Sequence, residues 1–406
     1  MMNTGYKKVI WDYVHLTYGT VFPIQFVGRL EDEMAAIPST GFLDDMVLCR
    51  ELRDAAKKEG CEIDVALTFG SSLLNWVWRS SGTNPLPPHY RCLECGRTEF
   101  VPDVKDGFDL PEKTCCGEPM LRCGHQIPFE SLLPNIDERG TDLEIRIPGS
   151  FAPTAIQTMG DFFEKHGEYR MVVVATGREE PEPVPCLRFV LIPVDDPISE
   201  HEGDDSWKSD PYFLYKGKNY RTVTLVLSEE KEQLKKLAAK YEDAPFVDEL
   251  LVSPILSVVK KSIEKRIADQ GRPLLQMGDL CFSSLLSLHG YERSTYADDN
   301  PVLSTPEARY SDMFSCREEV WDLLMNATNR EFKIGSGLAT KITEFTRSGR
   351  FSDNRMPAST ERLLLAMGIP DLWITQMKTT LYLPPKADLI NTLMDELKLA
   401  WYDLNT

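Results

Sequence analysis

Nowhere in this 406-residue chain does an apolar run approach the roughly 20 residues that a membrane-spanning helix needs. The opening MMNTGYKKVIWDYVHL has two lysines but no clean apolar stretch and no small-residue cleavage site, so no secretory leader is expected. Positive charge is also scarce: 45 Lys and Arg face 63 Asp and Glu, a formal net charge of −18. Contacts from Lys and Arg to phosphate supply most non-specific affinity for nucleic acid. A chain this acidic is therefore not expected to grip DNA by itself without a local basic face. Internal repeats are lacking too. These absences predict a cytoplasmic protein with no membrane partner, and nothing in the chain sets an oligomeric state.

What is present suffices for real cores, since 42% of residues are hydrophobic. At roughly 100–200 residues per domain, two or three domains are expected. The ten cysteines, in a reducing compartment, are thiols or metal ligands. Six of them, Cys49, Cys61, Cys123, Cys186, Cys281 and Cys316, are scattered and read as small buried apolar residues.

Residues 24–59 read as two helices, with Phe26, Leu30 and Met34 on one apolar face of the first and Gly60 ending the second. CEIDVALT (61–68) reads as a short buried strand, followed by a turn at Gly70, Ser71 and Ser72. TDLEIRI (141–147) alternates as a strand with Asp142, Glu144 and Arg146 on one face. A helix at 153–165, strands at 169–175 and 187–193, an acidic loop at 196–210 and a strand at 219–227 follow. From 229 the pattern turns helical: 229–241, 254–270, 277–290, 316–327, 337–348, 360–367, 370–380 and 385–403. In the last of these, Leu389, Leu393, Leu397 and Trp401 form a core stripe.

The strongest chemical signal is Cys92-Leu-Glu-Cys95-Gly, followed after nineteen residues by Cys115-Cys116-Gly117. A Cys-x-x-Cys-Gly knuckle converges two thiolates on one ion, and four thiolates in a tetrahedron make a closed structural zinc site. The adjacent second pair resembles the second half of the metal site in desulforedoxin-like modules. Cys123 and His125, just downstream, compete as ligands, and iron competes with zinc. A closed site has no open position for water, so it is expected to stabilise the fold and not to catalyse.

The flanking residues carry a resemblance. NPLPPHY (84–90), the knuckle, GFDLPEK (107–113) and GHQIPFE (124–130) resemble, in order, the bacterial PolC-type DNA polymerase III alpha subunit. FSSLLSLHG (282–290), CREEVWDLL (316–324), LATKITEFTRSG (338–349) and IPDLWITQMKTTLYLPPKA (369–387) resemble its fingers. The resemblance implies an α+β fold: a reduced polymerase palm-like sheet, an inserted four-cysteine zinc ribbon and an all-helical fingers-like half. The implied boundaries are 1–83 and 141–228 for the palm-like parts, 84–140 for the ribbon and 229–406 for the fingers-like part. The chain has no room for the family's exonuclease, its oligonucleotide-binding fold or most of its palm.

Polymerases of this kind hold two metal ions with carboxylates. The family's Asp-x-Asp pair falls on Asp142 and Glu144. The longer Glu144 displaces the metals by about an ångström, enough to cost on the order of a hundredfold in rate. The third aspartate falls near Val226, which binds no metal. In the triphosphate loop, ending at Gly70, Ser71 and Ser72, the family's arginine becomes Ala66, and two glycines become Asp64 and Leu67. An Arg-Ala-His triplet becomes Thr154-Ala155-Ile156, and Lys-Ala-His becomes Lys386-Ala387-Asp388. The resemblance assigns nucleic-acid contacts to Lys341, Arg347 and Lys386. The reading that follows is a non-catalytic PolC-like protein acting in replication or repair by contacting replication proteins or DNA. The alternative is a minimal two-metal polymerase using Mg²⁺ at Asp142 and Glu144.

Overall fold

The computed structural model describes residues 22–37, 42–61, 63–66, 71–77, 83–129, 142–166, 169–178, 184–193, 214–215, 218–219, 221–227, 247–327 and 333–405, with six positions between 8 and 15. Gly70, the acidic loop at 196–210 and the helix expected at 229–241 lie outside the described residues.

The described positions between 8 and 15 are helical, and two helices follow them, α1 (Ile24–Ala36) and α2 (Phe42–Lys58). In α2, Asp44 and Asp45 sit in the first turn and Lys57 and Lys58 in the last, matching the helix dipole at both ends. Gly60, at φ +66°, takes the left-handed conformation that ends the helix. The strand β1 (Asp64–Ala66) and the one-turn helix α3 (Leu73–Val77) follow.

The ribbon contributes β2 (His89–Arg91), β3 (Thr98–Phe100), β4 (Thr114–Cys115), β5 (Glu118–Pro119) and β6 (Leu121–Cys123). After it come β7 (Asp142–Ile147), α4 (Ala152–His166), β8 (Tyr169–Arg178), β9 (Val184–Pro193), a small hairpin of β10 (Leu214–Tyr215) and β11 (Lys218–Asn219), and β12 (Arg221–Leu227).

Five of these strands form one mixed sheet in the order β1-β7-β12-β9-β8. Only β7 and β12 run parallel within it; the other three pairings are antiparallel. Alternation sends Leu143, Ile145, Ile147, Phe189, Leu191, Val223 and Leu225 to one face. There they share a core with Met46, Leu52, Ala155, Met159 and Phe162 of α2 and α4. On the other face Val190, Ile192, Thr222, Thr224 and Val226 are also buried.

The second half holds α5 (Val247–Leu250), α6 (Ser253–Asp269), α7 (Phe282–Arg293), α8 (Arg317–Ala327), α9 (Lys333–Arg347), α10 (Ala358–Ala366), α11 (Asp371–Thr379) and α12 (Lys386–Asn405) around a second core. It is not all-helical as expected. The strands β13 (Thr295–Tyr296) and β14 (Thr380–Tyr382) pair antiparallel, joining β-branched and aromatic residues far apart in the chain. The helix expected at 277–290 begins only at Phe282. Its start is set by the ribbon: the Asp109 carboxylate accepts the N–H groups of Phe282 (2.8 Å) and Ser283 (3.0 Å). Asp109→Ala is expected to cost about 1–2 kcal/mol, read as a lower urea midpoint.

More ties link ribbon and helices. Phe108 meets Phe282 edge-on with ring centres 5.0 Å apart, and Arg122 pairs with Asp248. Ile127 belongs to the helical core, and Lys386 Nζ donates to the His125 carbonyl at 2.5 Å. Arg29 Nη1 donates to the Ile127 carbonyl from the other side, so the segment that follows β6 stands between the two halves.

Candidate metal centre and sheet site

The four-cysteine cluster, the candidate metal centre, is built by two tight turns. The knuckle Cys92–Cys95–Gly96 closes the β2–β3 hairpin, with Cys92 N–H donating to the Arg97 carbonyl (2.9 Å) and Gly96 N–H to the Cys92 carbonyl (3.1 Å). Gly96 sits at φ +71° to allow it. The second pair lies on the β4–β5 hairpin, where Thr114 faces Pro119 and Cys115 faces Glu118. Its two-residue turn is Cys116 (φ 54°) and Gly117 (φ 89°). Two successive positive φ values are the signature of a type I′ turn. That turn carries the Cys116 thiol back beside its sequence neighbour, 3.8 Å from Cys115 Sγ.

Cys95 Sγ lies 3.7 Å from Cys115 Sγ, and the four sulfurs all fall within 4.8 Å of one another. A tetrahedron with Zn–S bonds of about 2.3 Å has sulfurs about 3.8 Å apart, so the donor set fits zinc. The Arg97 backbone N–H, helped by neighbouring thiols, lowers Cys95 to about 7. Crowding does the reverse elsewhere: the Cys95 sulfur raises Cys115, and raises Cys116 to about 12. Four thiols this close cannot all ionise unless a cation joins them, and a bound divalent ion inverts that logic.

Cys123 and His125 are placed elsewhere. His89 Nδ1 lies 2.7 Å from the Pro87 carbonyl and its Nε2 lies 3.0 Å from Cys123 Sγ. Burial lowers His89 to about 4 and raises Cys123 to about 12, so the two meet as neutral groups. His125 Nδ1 lies 2.8 Å from Asp106 Oδ2, both side chains buried.

On the sheet, Asp142 and Glu144 lie in β7 opposite Thr222 and Thr224 of β12, and Arg146 lies opposite Val226. Across β12, Arg188 of β9 faces Thr224 and donates from Nε to its hydroxyl at 3.3 Å. Glu144 Oε1 is 3.6 Å from Arg146 Nε.

Ser71 and Ser72 are buried, and Ser72 caps α3: its hydroxyl donates to Glu33 Oε2 (2.7 Å) and accepts from Asn75 N–H (3.1 Å). The same Glu33 carboxylate accepts from Leu73 N–H (2.9 Å) and Leu74 N–H (3.0 Å) and pairs with Arg29. The donors at this helix start are thus taken by an internal carboxylate. Sequence reading missed Glu33, although it falls on the stripe Phe26, Leu30, Ile37, where a polar residue stands out.

Of the residues assigned to nucleic acid, Lys341 is exposed on α9 with Nζ 5.6 Å from the Phe345 ring centre. Arg347 pairs with Glu344, and the Lys386 ammonium is held by the His125 carbonyl. A second group of ligand types, His289, Glu292 and Glu396, also lies together. The Arg266 guanidinium already binds both carboxylates there. Burial pushes Glu292 up, but His289 and Arg266 outweigh it and hold it at about 2. That group is an ion-pair network between α6, α7 and α12.

No helix among the described residues is long and apolar enough to cross a membrane. No family model matches the chain. Curated relatives do. DNA polymerase III PolC-type of Bacillus subtilis is 34% identical over 178 residues, 43% of this chain and 12% of that protein. The PolC-type enzymes of Staphylococcus saprophyticus and Staphylococcus aureus are 30% and 32% identical over 182 residues, 44% of this chain and 13% of theirs. The aligned part thus spans about an eighth of those relatives' length.

Proposed function

We propose that this homologue of PolC-type DNA polymerase III is a replication- or repair-associated binding protein that does not itself polymerise. In this reading residues 1–83 and 141–228 are a reduced palm, 84–140 a zinc ribbon and 229–406 the fingers. The observation that carries it is the register of β12 against β7. On β12 the positions beside Asp142, Glu144 and Arg146 are Thr222, Thr224 and Val226, so that strand offers no carboxylate to complete a two-metal set, while β1 on the other side places Ala66 beside Glu144. The capture of the α3 N–H groups by Glu33 supports the same reading, because those donors are not free for phosphate.

The partner is a replication protein in preference to bare DNA. The net charge of −18 opposes a polyanion, and two of the three expected phosphate contacts, Arg347 and Lys386, are engaged within the chain. Primer extension with Mg²⁺ or Mn²⁺ is expected to stay at the level of an Asp142→Ala/Glu144→Ala double variant. Robust extension by the wild-type protein that the double variant abolishes would instead establish a minimal two-metal polymerase.

A further inference from the structure

Mg²⁺ does not fit the donor set on the sheet. A site for it needs carboxylates about 2.1 Å from the ion, with water filling the rest of an octahedron. Around Glu144 the sheet supplies cations instead. Arg146 follows two residues on in β7, with Nε 3.6 Å from Glu144 Oε1. In the next rung, Glu144, Thr224 and Arg188 follow one another across three strands, and Arg188 is fastened to the Thr224 hydroxyl. In the rung beside it, Asp64 of β1 is the register partner of Arg146.

We infer that Arg146, supported by Arg188, is a built-in cation that stands in place of a divalent metal and keeps Mg²⁺ and Mn²⁺ off this face. A divalent ion bound to Glu144 would sit within a few ångströms of the Arg146 guanidinium, and like charges at that range repel strongly. A fixed guanidinium also differs from a metal in function. Paired with the carboxylate, it brings no exchangeable water and no open position for a substrate oxygen. The inference rests on the non-catalytic reading and gives that reading a specific residue.

The test is Mn²⁺ binding to the zinc-loaded full chain, followed by the electron-paramagnetic resonance signal of free Mn²⁺. The wild type is expected to show no Mn²⁺ site that Glu144→Gln removes. Arg146→Gln is expected to tighten Mn²⁺ binding about tenfold, a modest figure because the pair is partly solvent-screened. Adding Glu144→Gln should abolish that gain, and Arg146→Lys, which keeps the charge, should behave as wild type. A wild-type Mn²⁺ site lost in Glu144→Gln overturns the inference, as does a folded Arg146→Gln variant whose Mn²⁺ binding is unchanged. If Arg146→Gln does not fold, the comparison of wild type with Glu144→Gln still decides. Mn²⁺ binding without primer extension overturns this inference alone, whereas extension overturns the non-catalytic reading itself.

Discussion

Removing the metal from Cys92, Cys95, Cys115 and Cys116 is expected to melt the ribbon and to loosen the start of α7 with it. The ribbon's own core is Tyr90, Cys92, Leu110 and Met120, with Val101, Val104 and Cys115 at its margin. So few side chains cannot offset the chain entropy of the ribbon, and small units of this kind depend on a metal. Structural zinc contributes about 10–16 kcal/mol of apparent binding energy at neutral pH, most of it folding energy where no preformed site exists. Loss should spread through Asp109, which holds the Phe282 and Ser283 N–H groups, and through the His125 carbonyl, which holds Lys386. Hydrogen exchange after chelation should therefore rise at Phe282 and Ser283 as well as at Cys92–Gly96. A metal-free protein with the same melting temperature and unchanged exchange at these amides would show that the thiols do not hold the fold. Cys116→Ser should fall between the two states, keeping the turn and losing one soft ligand.

Replacing Glu33 is expected to destabilise the sheet half nearly as severely as a large core truncation. Its carboxylate is fully buried and accepts from the Ser72 hydroxyl, the Leu73 and Leu74 N–H groups and Arg29. Breaking a buried, hydrogen-bonded charge pair by removing one partner costs about 3–5 kcal/mol, because the partner stays behind uncompensated. Glu33→Ala leaves Arg29 and three donors short. Glu33→Gln is nearly isosteric yet turns an NH₂ group towards those donors, so it should recover little. Urea unfolding of the two variants measures both effects; a loss under about 1 kcal/mol for Glu33→Ala would mean water replaces the carboxylate there. Arg29 also reaches the carbonyls of Ser71 and Ile127, so the damage should extend towards the ribbon.

Much of the architecture was legible before any coordinates. Alternation in TDLEIRI put Asp142, Glu144 and Arg146 on one face of a strand, and the residues between them, Leu143, Ile145 and Ile147, are buried. In the expected stripe, Leu389, Leu393 and Leu397 are buried in the second core and Trp401 packs against it partly buried. Periodicity works at these places because burial of one face is a local, repeating demand. It failed where a distant residue decides. The start of α7 moved to Phe282 because Asp109, 173 positions earlier, caps it. The β13–β14 pair was invisible because each strand is two or three residues long and finds its partner across the helical half.

Composition and periodicity were enough to specify that the chain builds hydrophobic cores and that a mixed α/β part precedes a largely helical one, because these signals act over a few residues. Which groups meet was settled only by the folded chain. Folding put Cys123 against His89 and His125 against Asp106, away from the four-thiol cluster. It set Glu33 into the α3 N-terminus and laid Thr224 beside Glu144, with Arg188 one strand further on. These contacts join residues from 19 to 80 positions apart. Their energies depend on burial and on the distance between charges, and neither quantity exists until the chain has folded.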